Sequence, residues 1–176
     1  MRYTIRKAHP DDFHDIAKIH VLGWQAAYAD IVDNEYLQTL SVEQRAQNWK
    51  RYLRDDTNRI YLAINEQNQP VGFSSCGTTQ TFPKNVRPED FPYKGGLLAL
   101  YLLPEYYRQG IGTALFTRAA QGLKKLGHNA MCTWSLEENI RAQAFYKSMG
   151  GREIDEEMIT IGPGTFREIC FGWDEL

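Results

Sequence analysis

The stretch that decides the fold is Leu102-Leu103-Pro104-Glu105-Tyr106-Tyr107-Arg108-Gln109-Gly110-Ile111-Gly112-Thr113-Ala114. An apolar run, Leu97–Leu103, stops at a proline. A short polar stretch carrying Arg108 follows, then two glycines one residue apart, then a helical pattern. The run reads as a central strand buried on both faces. The glycines let backbone approach something bulky, and the helix start offers unpaired N–H groups to an anion. The arrangement reads as a phosphate-cradling loop.

Two common phosphate binders fit poorly. A dinucleotide fingerprint needs G-x-G-x-x-G, and Leu115 stands where the third glycine belongs. The triphosphate loop G-x-x-x-x-G-K-[ST] does not occur.

Working outward, Tyr3–Lys7 alternates as a strand, and Pro10-Asp11-Asp12 opens a helix reaching about Tyr28. A short helical stretch, Asp33–Leu40, comes next, and Ser41 caps a helix over Val42–Leu53 through the Ser41-x-x-Gln44 pattern. Arg59–Ile64 and Val71–Gly77 form a hairpin around a polar link. Thr78–Gly96 is a long polar segment, either a wall of a substrate site or a surface insertion. Gly110–Leu126 is a helix ended by Gly127, Asn129–Trp134 a strand, and Asn139–Met149 a helix stopped by Gly150-Gly151. Glu153–Ile161 and Thr165–Trp173 close the chain as a last hairpin. The order is mixed α and β, in one domain over residues 1–176.

Composition bounds the function. Hydrophobic residues make up 43% and charged residues 24% of 176 residues, ordinary for a globular chain. A net charge of −2 argues against gripping nucleic acid by overall charge. No apolar run is long enough to span a membrane, and the start of the chain, Met1 to Lys7, lacks a signal-peptide core. Cys76, Cys132 and Cys170 read as reduced thiols of a cytoplasmic protein. The four histidines show no ligand spacing with them, so no metal is implied.

A second segment, Asn139-Ile140-Arg141-Ala142-Gln143-Ala144-Phe145-Tyr146-Lys147-Ser148-Met149-Gly150, puts Asn139, Ala142 and Tyr146 on one helical face. Asparagine at a helix start caps it or bonds an amide-bearing ligand, and a phenol can donate a proton at neutral pH. From spacing alone, Tyr146 reads as a core aromatic with a satisfied hydroxyl.

Tyr106–Ala114 followed by Asn139-x-x-Ala142-x-x-Phe145-Tyr146-x-x-x-Gly150 resembles the acetyl-CoA-binding motifs of the GNAT superfamily of N-acetyltransferases, as found in bacteria. The segment Gly23–Tyr28, then Tyr36-Leu37 and Leu40-Ser41, is similar to the N-terminal helices of a bacterial branch, so the likeness spans most of the chain. The resemblance implies an α/β (α+β) fold with a mixed, mostly antiparallel central sheet. That sheet splays at the cofactor site and carries helices on both faces. It also implies acetyl-CoA as co-substrate. Its pyrophosphate would meet the backbone of Arg108, Gln109, Gly110, Ile111, Gly112 and Thr113, and its pantetheine arm would pair with Leu100, Tyr101 and Leu102. Asn139 would contact that arm, and Tyr146 would protonate the leaving thiolate. Trp24 and Tyr28, four apart on one helix face, read by themselves as core packing; the resemblance would instead put them on the acceptor wall, for a primary amine on a small molecule or peptide.

Two departures from the family pattern stand out. Tyr107 occupies a position usually held by Gln or Arg. The slot of the family's general-base glutamate falls on Gly96, with no acid from Lys94 through Leu103. Glu137, Glu138, His20 and Tyr28 are candidate bases from elsewhere in the chain, and an amine that arrives neutral needs none. The missing acid also leaves open a CoA-binding module without catalysis, which the retained Tyr146 argues against. A non-acetyl acyl donor, the identity of the acceptor and a homodimer built on the end strands stay open as well.

Overall fold

A computed structural model describes residues 2–84 and 86–176; Met1, and Asn85 in the long loop, lie outside it. Seven strands form one sheet in the order β1-β2-β3-β4-β5-β7-β6. They are β1 (Tyr3–Lys7), β2 (Arg59–Asn65), β3 (Pro70–Thr78), β4 (Gly95–Leu102), β5 (Met131–Leu136), β6 (Arg152–Ile161) and β7 (Gly164–Trp173). The helices are α1 (Phe13–Tyr28), α2 (Asn34–Gln38), α3 (Val42–Tyr52), α4 (Ile111–Lys125) and α5 (Ile140–Ser148). All neighbouring strands run antiparallel except β4 and β5, which are parallel.

Both faces of the sheet are covered, and the strand alternation shows how. On β2, Ile60, Leu62 and Ile64 pack with Ile16, Ala17 and Ile19 of α1 and with Trp49 of α3. Tyr61 and Ala63 point the other way, toward Leu115, Ala119 and Leu123 of α4. Those three residues recur every fourth position and are fully buried, so they form the stripe that seats α4 on the sheet. Truncating either leucine to alanine would cost about 2–5 kcal/mol.

Helix ends follow local chemistry. The hydroxyl of Ser41 accepts the Gln44 N–H at 3.3 Å, and Asp33 accepts that of Tyr36 at 2.8 Å. Asp12 accepts the His9 N–H at 2.6 Å while pairing with Arg6 at 2.6 Å, which ties the entry of α1 to β1. At the far ends of α4 and α5, His128 N–H reaches back to Leu123 O and Gly151 N–H to Tyr146 O, each closing a helix across a left-handed glycine.

The long loop between β3 and β4 packs inward. Phe82, Val86, Phe91 and Tyr93 cover Cys132, Cys170 and Ile154 on the sheet. Tyr93 donates to Asp174 at 2.6 Å and accepts from Arg152 at 2.6 Å, which pins the loop to the end of the chain.

One expectation about the central strand is corrected. Leu97–Leu103 is not buried on both faces: Leu98 is 46% exposed, and Ala99, Leu100 and Tyr101 are half-buried. The cause is its partner. β5 pairs with β4 only at Gly95↔Met131 and Gly96↔Cys132, then diverges. A bulge on the other side puts Cys76 opposite Leu97 and Ser75 opposite Ala99, leaving Leu98 as the extra residue. Beyond it, the β5-facing edge of β4 pairs with no strand among the described residues.

Candidate active site

The gap between β4 and β5 opens into a groove of about 730 Å³. Leu98–Leu102 form one wall, Thr133–Ser135 the other, and Asn139 to Ser148 of α5 closes one side. Arg108, Gly112 and Thr113 stand at the mouth. Where the strands part, Thr133 donates its hydroxyl to Leu97 O at 2.8 Å.

The mouth has unusual backbone. Arg108 has φ +60° and Gly110 has φ +80°. Holding a non-glycine residue in this left-handed region costs roughly 1–2 kcal/mol. The start of α4 has no side-chain cap and no acid in its first turn. Its first N–H groups therefore keep their donors free, and the helix dipole adds positive potential there. Across the mouth, the Arg141 guanidinium lies 4.3 Å from the centre of the Tyr107 ring, a cation–π contact joining α5 to the loop.

Tyr146 lies deep in the groove, 8% exposed. Burial, aided by the neighbouring Tyr28, holds its phenol protonated above the ordinary tyrosine range, with Thr133 acting the other way. Tyr28 and Tyr101 meet hydroxyl to hydroxyl at 3.5 Å, and burial raises both phenols too. Asn139 accepts the Ala142 N–H at 3.2 Å, so it caps α5 while it lines the groove.

The residues singled out from the sequence therefore fall into two sets. Leu100, Tyr101, Leu102, Arg108, Gly112, Thr113, Asn139, Tyr146 and Tyr28 line the groove. Gln109 and Ile111 line a smaller hollow with Tyr3, Asn65 and Tyr106, and the Ile111 side chain is buried in the core. Gly110 caps α4 from beside Tyr3. Trp24 packs behind Tyr28, ring centroids 4.9 Å apart, with the Arg45 guanidinium 5.0 Å from its ring centre.

The alternative bases separate in the same way. His20 is packed among Trp49, Phe73 and Tyr101, accepts the Trp49 indole N–H at 3.1 Å, and is pushed down to about 3 by burial and by Arg45. It is a neutral imidazole packed behind the Tyr101 wall and does not itself line the groove. Glu137 and Glu138 are exposed at the β5–α5 corner, Glu137 facing Arg167 at 3.8 Å. Gly96 sits in the paired part of β4, where a Cβ would press on Leu98 and Thr79.

The structure adds a carboxyl that the sequence reading passed over. Glu168 of β7 is 8% exposed and lies opposite Leu136 on one side and Glu157 on the other. Burial and Glu157 push it up to about 7. It acts in turn on Tyr28, raising that phenol. A signal was present: Phe166, Glu168 and Cys170 share one strand face, and Phe166 and Cys170 face the interior. A charge at an inward position of a period-two strand is a place to look. The indole N–H groups of Trp24 and Trp134 are also buried without an acceptor among the described residues.

Comparison with known proteins agrees with this architecture. Over 96% of the chain, the structure superposes on the PaiA N-acetyltransferase of Thermoplasma acidophilum, crystallised in complex with coenzyme A, with a TM-score of 0.72, 22% identity and 98% of that chain covered. YncA of Salmonella typhimurium, solved with its cofactor acetyl-CoA, matches with a TM-score of 0.71 and 17% identity over 98% of this chain and 94% of that one. These likenesses define the fold as that of the N-acetyltransferases. Residues 21–150 match the model of the Acetyltransferase (GNAT) family. The uncharacterized N-acetyltransferase YuaI of Bacillus subtilis is 33% identical over 98% of this chain and 94% of its own length. The chain belongs to the GNAT acetyltransferase family. Among the described residues no helix is long and apolar enough to cross a membrane, and no cluster of three or more His, Cys, Asp or Glu could hold a metal.

Proposed function

We propose that this protein transfers the acetyl group of acetyl-CoA directly to a primary amine on a small molecule or peptide. The observation that carries the reading is the uncapped start of α4, opening onto a groove that leads to the buried Tyr146. A diphosphate fits the free N–H groups there, and no carboxylate of the first turn opposes it. The amides of the pantetheine arm suit the unpaired edge of β4 from Leu98 to Leu102, as an added strand would.

Acetyl-CoA supplies the thioester. The chain's residues orient it and manage protons. A main-chain N–H near Leu102 polarises the thioester carbonyl and stabilises the oxyanion. The amine attacks, and Tyr146, kept protonated by burial, gives its proton to the departing sulfur. The three cysteines are buried and free, and none lines the groove, which favours direct transfer over an acyl-enzyme.

The test mixes acetyl-CoA with hexylamine, benzylamine, ethylenediamine and glycinamide, and follows release of the CoA thiol. Amine-dependent release supports transfer. Tight CoA binding by calorimetry without release from any of the four supports the second reading, a CoA-binding module, which the absence of Asp and Glu from the groove lining favours.

A further inference from the structure

We propose that Glu168 is the proton acceptor for the acceptor's ammonium, drawing it to the Tyr28 end of the groove and taking its proton through the Tyr28 hydroxyl that stands between them. This rests on the acetyl-transfer reading and supplies the base that the Gly96 position does not. The placement follows from register. Leu136 of β5 and Glu168 stand opposite each other, so they share a face, and Leu136 packs with Trp24 and Tyr28 beneath α1. Tyr28 reaches from that cluster into the groove, where it neighbours Tyr101 and Tyr146. Glu168 does not itself line the groove; Tyr28 joins its neighbourhood to the groove beside Tyr146.

Its surroundings suit a proton acceptor for a cation. From β6 it faces Glu157, directly opposite, and Asp155 is one pair further along the same face. From α1 it faces Tyr28, and Cys170 is the titratable neighbour on its own strand. Arg45 of α3 is engaged over Trp24 and bears on Tyr101 rather than on Glu168. None of the ion pairs among the described residues includes Glu168 or Glu157. A buried carboxyl with a like charge as partner is costly to keep unpaired. An alkylammonium relieves that cost. The step then balances: one ammonium proton first passes to a Glu168 carboxylate oxygen by way of the Tyr28 hydroxyl, the neutral amine attacks, the C–N bond forms as the C–S bond breaks, the Tyr146 proton goes to sulfur, and the second amine proton leaves to water. Both residues return to their starting state through water.

The experiment compares the parent protein, Glu168→Gln and Glu157→Gln with acetyl-CoA and the four amines above across pH. The parent should show a limb of rising kcat/KM near neutrality. Glu168→Gln should lose that limb and fall about 100-fold or more at pH 7, recovering at high pH where the amine arrives neutral. Glu157→Gln should move the limb to lower pH, because a like charge has gone. CoA affinity by calorimetry should hold in both. A Glu168→Gln profile that overlays the parent's overturns the proposal while transfer stands. A parent that binds CoA and acetylates none of the amines overturns the transfer reading itself. Independently of turnover, the Glu168 carboxyl carbon should titrate near neutrality by NMR and move down in Glu157→Gln; titration at an ordinary glutamate value overturns the proposal.

Discussion

Gly23 of α1 stands so close to Tyr101 of β4 that a Cβ at position 23 would lie 2.9 Å from Tyr101 Cδ1 and 3.0 Å from its Cβ. The hydroxyl of the same Tyr101 meets that of Tyr28, one helical turn and a residue along α1, at 3.5 Å. Tyr101 therefore ties α1 to the groove wall through both contacts. Gly23→Ala gains about 1 kcal/mol of helix propensity. Overpacking against a ring on a central strand costs about 1–3 kcal/mol. The second effect should win, lowering the melting temperature and displacing Tyr101. Thermal denaturation checks the first, and amine-dependent CoA release the second.

Gly110 separates strain from charge. Its φ of +80° penalises any side chain, but a Cβ there meets nothing nearer than the Tyr3 hydroxyl at 3.5 Å. Gly110→Ala should therefore lose roughly 1–2 kcal/mol of stability and keep CoA binding. Gly110→Glu should lose similar stability and also the binding, since its carboxylate opposes the diphosphate at the helix start. Calorimetric titration with CoA distinguishes them; equal affinities would remove the helix start from the binding site.

Tyr146→Phe keeps the ring that packs among Phe145, Phe171 and Trp173. It removes only the hydroxyl. CoA affinity should stay within about twofold while kcat falls about 100-fold or more, the usual scale for a lost general acid. An unchanged kcat would leave Tyr146 as a core aromatic and nothing else.

His20 predicts an acid sensitivity with a definite sign. Its imidazole titrates at 6.5 when free and is pushed down to about 3 in the fold. As pH falls below 6.5, the unfolded chain takes up a proton that the folded one refuses. Stability complete above that point is lost progressively toward about pH 3, at about 1.4 kcal/mol per pH unit. His20→Gln, which can still accept the Trp49 N–H, should flatten that slope. Urea denaturation at about pH 7, 5 and 4 measures it; parallel slopes in parent and variant would refute the assignment.

Much of the architecture was legible because its signals are local. Ser41 and Asn139 announce helix starts, and both cap in the structure. Gly127 and Gly150 announce helix ends, and both take left-handed backbone. The two cofactor-type motifs lie on the elements expected of them, α4 and α5. Leu98 was misread because a bulge and a departing partner are properties of the pairing, and an apolar strand carries no mark of either. His20 looked like a base because histidine titrates near neutrality; its burial among three aromatic rings becomes apparent only when α1, α3, β3 and β4 meet.

The amino-acid sequence by itself determined the elements and their order, since caps, turn glycines and strand and helix periodicity act over a few residues, and the resemblance of its two cofactor-type motifs pointed to the family. Tertiary structure alone decided which side chains face the groove and which carboxyl is starved of water. Glu168 and Tyr28 are 140 positions apart in the chain. Desolvation and field depend on distance through space, and that distance exists only once β7 has been laid beside β5 and α1 packed across them.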